Sequence, residues 1–232
     1  MKYLSLSLTF FVASAFAAEP ELQCGADTDL NPNNRFSHDV LATDIGDYKV
    51  INDATTGLQW SYCFVGQTFD SQQDVCLGVP TVPYELSDSN YNSNIRQASM
   101  DAVESENQQL GTLEHPWRLP NIKELIGIYN EQCVPANYPA FSYAINVSQS
   151  EIEDLGNTPY STDETIIGYH TAISARQKSA VYQNMTITSD TVLLDRDYLH
   201  YYTVDFSGWG SLLNQLRRTS GMLRLVREIP KE

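Results

Sequence analysis

Four cysteines and four histidines are the residues best suited to metal or nucleophilic chemistry, and their spacing limits what they can do. Cys24, Cys63, Cys76 and Cys133 form no CxxC pair and no Cys/His arrangement suited to zinc. An even count of this kind is the pattern of two disulfides in an oxidising compartment. His38, His115, His170 and His200 show neither HxxxH nor HExxH spacing, so no helical face presents a metal pair. The "SGWGS" around Ser207 is not the GxSxG turn that lifts a serine nucleophile. In "DTDLNPN" (27–33), Asp27, Asp29 and Asn31 are spaced like the start of a calcium loop. Pro32 stands where such a loop needs glycine, and His38 where it needs a bidentate glutamate, so an acidic turn is the better reading. No metal or cofactor is expected.

The densest cluster of chemical side chains is "HPWRLPNIKEL" (115–125). One reading has Arg118 gripping an anionic ligand. The other is framework: Pro120 ends an extended run, Asn121 caps a helix, and Glu124 stands three residues on to close a capping box. In that reading Trp117 packs in the core and Arg118 joins a buried or half-buried ion pair. Since the cap explains half of the motif, Trp117, Arg118, Asn121 and Glu124 are assigned to framework, together with Trp60.

The elements that must hold these residues can be read from pattern. Residues 1–17 have a positive Lys2, an apolar run and Ala15-Phe16-Ala17, the layout of a secretory signal peptide cleaved after about Ala17. A mature chain of roughly 215 residues makes one large domain or two small ones. Residues 18–47 are polar and turn-rich, which predicts an extended N-terminal segment tied down at Cys24. Tyr48–Ile51 and Leu58–Trp60 read as strands around "NDATTG", with Leu58 and Trp60 on one face. Residues 64–91 read as loop. Ile95, Ala98, Ala102 and Val103 recur at helical spacing, and Ile122, Leu125, Ile126 and Tyr129 form the apolar stripe of a second helix. Residues 134–200 lack a strong period and read as a long functional loop region, while 201–206 and 222–228 are β-type runs. Cys63 and Cys76 bracket a short loop directly after the Trp60 strand, which leaves Cys24 to pin the N-terminal segment to Cys133. The expected bridges are therefore Cys63–Cys76 and Cys24–Cys133.

Charge narrows the partners. The formal net charge is −15, and losing Lys2 with the leader makes it one unit more negative. No three basic residues are consecutive, so nucleic acid, heparin-like polyanions and anionic membrane surfaces are disfavoured. After the leader no apolar run reaches the ~18 residues of a spanning helix, and no membrane insertion is expected after cleavage. Neutral sugars, proteins and cations stay open as ligands. "NVS" (146–148) and "NMT" (184–186) match the glycosylation sequon, a three-residue pattern of low specificity.

Taken in order, "VINDATTGLQWSYC", "WRLPNIKELIGIYNEQC", "VDFSGW" and "LRLVRE" resemble the Lcl C-terminal domain-like family, over about residues 48–228 with 229–232 as a tail. That family, formerly a domain of unknown function, is named after the end domain of a collagen-like bacterial adhesin. It is related to the C-type lectin-like fold. The resemblance implies an α+β domain with two helices, a small mostly antiparallel sheet, a long irregular loop region carrying the ligand site, and first and last strands paired. Tyr48–Ile51 should then lie near Leu223–Val226. Where relatives carry a Tyr-Trp-Ser-Ser-like segment, this chain has "YHTAIS" (169–174), with His170 in the Trp position. The Glu-Pro-Asn and Trp-Asn-Asp triplets of calcium-dependent lectins are absent. Sulfatase-modifying enzymes share that fold but work through a cysteine pair, whereas all four cysteines here are assigned to disulfides.

The expectation is a secreted or periplasmic, non-enzymatic binding or adhesion module for a glycan or protein ligand. Its ligand residues would be amphipathic rings of the loop region: Tyr169, His170, Tyr182, Tyr198, Tyr201 and Trp209. Nearby Arg176, Lys178 and Arg196 are offset by Asp190, Asp195 and Asp197, which predicts binding only weakly dependent on salt. Two other classes compete: a cell-envelope enzyme using carboxylates or His170, and a structural subunit of a surface assembly.

Overall fold

The computed structural model describes residues 22–83, 95–111, 114–141, 151, 185–195, 198–207, 212–215 and 221–231. Its elements run in the order β1 (Gln23–Cys24), β2 (Phe36–Thr43), β3 (Gly46–Asp53), β4 (Leu58–Ser61), β5 (Thr68–Asp70), β6 (Val75–Leu77), α1 (Ile95–Leu110), α2 (Ile122–Gly127), β7 (Cys133–Val134), β8 (Met185–Asp195), β9 (Tyr198–Asp205), β10 (Leu212–Gln215) and β11 (Val226–Glu228). The class is α+β, and the paired strands are antiparallel. Among the described residues no helix is long and apolar enough to cross a membrane.

The main sheet has the order β11-β4-β3-β2, and a second sheet the order β10-β9-β8. The turn between β3 and β4 is built on Asp53. Its carboxylate accepts from Arg35 Nε at 2.8 Å and Nη2 at 2.6 Å, and from the amides of Thr55 and Thr56. Gly57, at φ +70°, closes that turn in a conformation that disfavours a side chain. Strand β3 is buried on both faces, so its side chains feed two cores. Tyr48 and Val50 join Val65, Leu223, Leu225, Trp117 and the α1 residues Val103 and Leu110. Ile51 joins Leu58, Trp60, Val226, Phe141 and the α2-side residues Leu125 and Ile128, with Val204 and Phe206 at the β9 end. The sheet is thus covered by α1 on one face and by α2 with the β9 end on the other. Trp60, Ile51 and Val226 are at most 1 % exposed.

Two disulfides are formed, Cys24–Cys133 and Cys63–Cys76. The first joins β1 to β7 at directly opposed residues, and the second ties the end of β4 to β6. Disulfides of this kind belong to an oxidising, extracytoplasmic environment.

Several elements differ from their sequence reading. The segment read as an extended arm up to residue 47 contributes β2, whose eight residues pair in register with β3 from Phe36↔Asp53 to Thr43↔Gly46, so residue 48 falls inside β3. Its pattern is hidden because β2 is an edge strand: Phe36 is buried, but Ser37–Val40 are exposed. The loop 64–91 contains the β5–β6 hairpin, whose three-residue strands are too short to show a period. Part of the 134–200 region forms the β8–β9 hairpin, with register shifts that break its alternation. In α2 the buried residue is Leu125, followed by Ile128, while Ile126 is 48 % exposed. The helix ends at Gly127, and the chain turns at Ile128 before the extrapolated stripe can continue. The last strand lies against β4, one strand from Tyr48–Ile51, and Leu223 and Leu225 reach Tyr48 and Val50 through the shared core.

Candidate functional site

Three stretches far apart in sequence meet at Val226. On one side Val226 stands opposite Trp60. On the other it exchanges both backbone hydrogen bonds with Arg118: the Arg118 amide donates to its carbonyl at 3.0 Å, and its own amide donates back at 2.9 Å. Next to it, Arg227 donates from Nε to Gln59 Oε1 at 2.8 Å and from Nη1 to the His115 carbonyl, with its guanidinium 4.3 Å from the centre of the Trp117 ring. Trp117 is 2 % exposed and is clamped from α1: Asn107 Oδ1 accepts its amide at 2.6 Å, and Asn107 Nδ2 donates to its carbonyl at 2.9 Å. Trp60 and Trp117 are core residues.

The helix start is a full capping box. Asn121 Oδ1 accepts from the Glu124 amide at 2.9 Å, and Glu124 Oε2 accepts from the Asn121 amide at 2.8 Å. Glu124 also takes both Arg118 terminal nitrogens, at 2.9 and 2.7 Å. Burial raises the Glu124 carboxyl, but the Arg118 and Asn121 hydrogen bonds outweigh it and hold it below the usual carboxylate range. The Ile122 amide donates to Asp190 of β8, which docks the second sheet onto α2.

Beside this framework lies an open groove of about 620 Å³ between α1 and the Pro116–Asn121 segment. One wall is α1, with Gln97, Met100, Glu104 and Gln108 in succession along it. The floor includes Val103, Trp117 and Leu119, and the far side has Arg118, Asn121 and Ser189. Met100 is half exposed. Gln97 donates to Asp101 at 2.7 Å and Gln108 to Glu104 at 3.3 Å, so the wall is a ladder of amides and carboxylates one helical turn apart. A concavity of this size, with an apolar floor and convergent polar groups, is the kind of surface that takes a ligand. Sequence reading missed the α1 wall, because polar residues at this spacing look like an ordinary solvated helix face.

Two buried groups outside the groove lining, Glu106 of α1 and Tyr48 of β3, have their ionisation shifted by their surroundings. Desolvation raises the Glu106 carboxyl to about 7, opposed only by a hydrogen bond from the Gly66 amide. Burial and then the Glu106 charge raise the Tyr48 phenol well above its ordinary value, against a hydrogen bond to Ser61.

Of the ring residues assigned to the ligand from sequence, Tyr169, His170, Tyr182 and Trp209 lie outside the described residues, as do Arg176, Lys178, Arg196 and both sequons' asparagines. Tyr198 and Tyr201 lie on β9, opposite Asp195 and Thr191 of β8. Asn31 is occupied by the Phe36 backbone at both ends of its amide, at 2.8 and 2.9 Å, and Asp29 accepts from the Asn31 amide. That stretch is the turn leading into β2. Among the described residues no three His, Cys, Asp or Glu side chains gather as a metal site. His38 meets the Ala140 carbonyl at 2.9 Å and sets its ring edge-on to Tyr62. No family model, curated protein or solved structure matches the chain.

Proposed function

We propose that the protein is a secreted or periplasmic binding module of the Lcl C-terminal domain-like family, with a C-type lectin-like architecture, which recognises a glycan or protein ligand without chemically altering it. The observation that carries this reading is the groove between α1 and Pro116–Asn121, a concave surface whose amides, carboxylates and guanidinium stand over apolar side chains. Planar polar groups of that kind pair with sugar hydroxyls or peptide amides, and the half-exposed Met100 offers an adaptable apolar contact. In the fold, the three motifs that carry the resemblance, "TGLQW", "WRLPNIKEL" and "RLVR", meet at Val226. An acidic chain is poorly matched to polyanions, so neutral glycans are the first ligands to test. A glycan array and a pull-down with the mature protein test the reading. Ligands whose binding weakens at least tenfold in Met100→Ala and Gln97→Ala support it, and binding indifferent to both variants refutes the groove.

A second reading, a structural subunit of a surface assembly, is favoured by β2. It ends the main sheet, its outer side has no strand among the described residues, and Val40 on it is 47 % exposed. Such an edge can pair with another chain. Light scattering of the mature protein at rising concentration, with Val40→Lys for comparison, separates this reading from a monomeric binder.

A further inference from the structure

Glu106 is a buried acid that neither reading above uses. It lies on the sheet-facing side of α1, between Val103 and Leu110, and only 7 % of it is exposed. From β3 it faces the phenol of Tyr48, itself buried. From the turn after β4 it receives the Gly66 amide. That position takes glycine alone without strain, because Gly66 has φ +87° and a Cβ there would collide with Thr81 Oγ1. From β11 and the residues just before it, Arg227 and Arg224 act on Tyr48, but their guanidinium groups donate elsewhere: Arg224 to the Ser61 and Tyr62 carbonyls, Arg227 to Gln59 and the His115 carbonyl. Lys49 of β3 points to the opposite face, toward Asp74 and the Tyr62 ring. Among the described residues the ion pairs are Arg35–Asp53, Lys49–Asp74 and Arg118–Glu124, and none includes Glu106.

Among the described residues an ionised carboxylate in such a place loses its water and gains one amide donor and no cation, which disfavours the charged form. The same helix is the wall of the groove, and Asn107, the next residue, holds Trp117 in its floor. We infer that α1 is a pH-gated wall: it stays seated on β3 while Glu106 is protonated, and it is loosened from the sheet, with the groove it shapes, when Glu106 ionises. The gate rests on reading the groove as the binding surface. Its sign follows from linkage. A carboxyl raised by folding contributes stability that is complete below the ordinary carboxylate range and is lost as pH rises through the folded value, here about 7.

Amide hydrogen exchange on the mature protein without ligand, at pH 5.5, 7 and 8.5 and corrected for intrinsic exchange, reads the gate directly. The expected result is a fall in α1 protection of roughly 10- to 100-fold across this window, with β3 and β4 peptides unchanged. Glu106→Gln is expected to hold α1 protection flat. Flat protection in the unmodified protein, or an equal fall in Glu106→Gln, overturns the gate. The two readings fail separately. A pH-dependent α1 in a protein that binds nothing through Met100 and Gln97 sinks the groove and supports the loosening of α1 by Glu106, while groove-dependent binding with flat exchange sinks the gate.

Discussion

The side chains that decide this structure are polar groups in places where sequence suggests either core or solvent. Asn107 looks like any amide on an exposed helix, yet it makes hydrogen bonds to the Val103 carbonyl and to both backbone groups of Trp117. Removing it strands an N–H and a C=O in a region closed to water, and each stranded group costs roughly 1–3 kcal/mol. Asn107→Ala is therefore expected to lower the unfolding free energy by about 2–4 kcal/mol in urea titration. Stability equal to the parent would mean that Trp117 is held by packing alone. Trp117→Ala should cost about 3–5 kcal/mol, because the ring fills a site between Tyr48 and the Arg227 guanidinium and its loss leaves a cavity. Arginines 224 and 227 follow the same logic. As charged residues of "LRLVRE" they would be expected in solvent, but both are buried, with their guanidinium groups 4.3 Å from the ring centres of Phe64 and Trp117.

At the scale of elements, what was legible was local. The Asn121–Glu124 capping box is visible in sequence because cap and partner are three residues apart, and the structure forms it. Asn121→Ala should cost about 1 kcal/mol in a thermal or urea melt. The Arg118–Glu124 pair adds little beyond that, since Arg118 is 48 % exposed and its charge is screened by water. The β3–β4 hairpin was legible for a similar reason: "VINDATTGLQW" places apolar residues on either side of an Asp-to-Gly turn. Other elements were hidden by short length or by polar residues. The edge strand β2 is polar on its free side, β5 and β6 have three residues each, and α1 turns Ser99, Glu106 and Asn107 inward beside Val103 and Leu110. No periodicity rule distinguishes an inward amide from an outward one until its partner is in view. The Cys24–Cys133 bridge is an element-scale constraint of long range, spanning 109 residues. In the chain-entropy view, Cys24→Ser with Cys133→Ser should lower stability by about 4 kcal/mol, chiefly by freeing the unfolded chain. A loss below 1 kcal/mol would show that β1 is held to β7 without its crosslink.

For the whole molecule, the buried acids set opposite limits on stability as pH changes. Asp53 is raised by burial, but the Arg35 and Thr56 hydrogen bonds bring it below the ordinary carboxylate value, and Glu124 is held low by Arg118 and Asn121. A carboxyl lowered by folding contributes stability that is present above its unfolded value and is lost as pH falls through the folded one. These two groups therefore weaken the fold on the acid side, below the usual carboxylate range. Glu106 has the reverse sign. Its folded form keeps a proton that the unfolded chain has already released, so its contribution declines from the ordinary carboxylate value up to about 7. The sum is a stability maximum near pH 5, and repulsion among the excess carboxylates at higher pH works in the same direction. The loss attributable to Glu106 between pH 5 and pH 8 is about 2–3 kcal/mol, and Glu106→Gln should abolish that loss while leaving the acid limb in place. Arg35→Met should do the converse: it removes the partner of Asp53, destabilises the fold at neutral pH, and flattens the acid limb. Urea unfolding of the three proteins at half-unit steps from pH 3 to pH 8.5 measures both limbs. A neutral limb of equal slope in Glu106→Gln would assign the alkaline loss to overall charge and not to the single acid beneath α1.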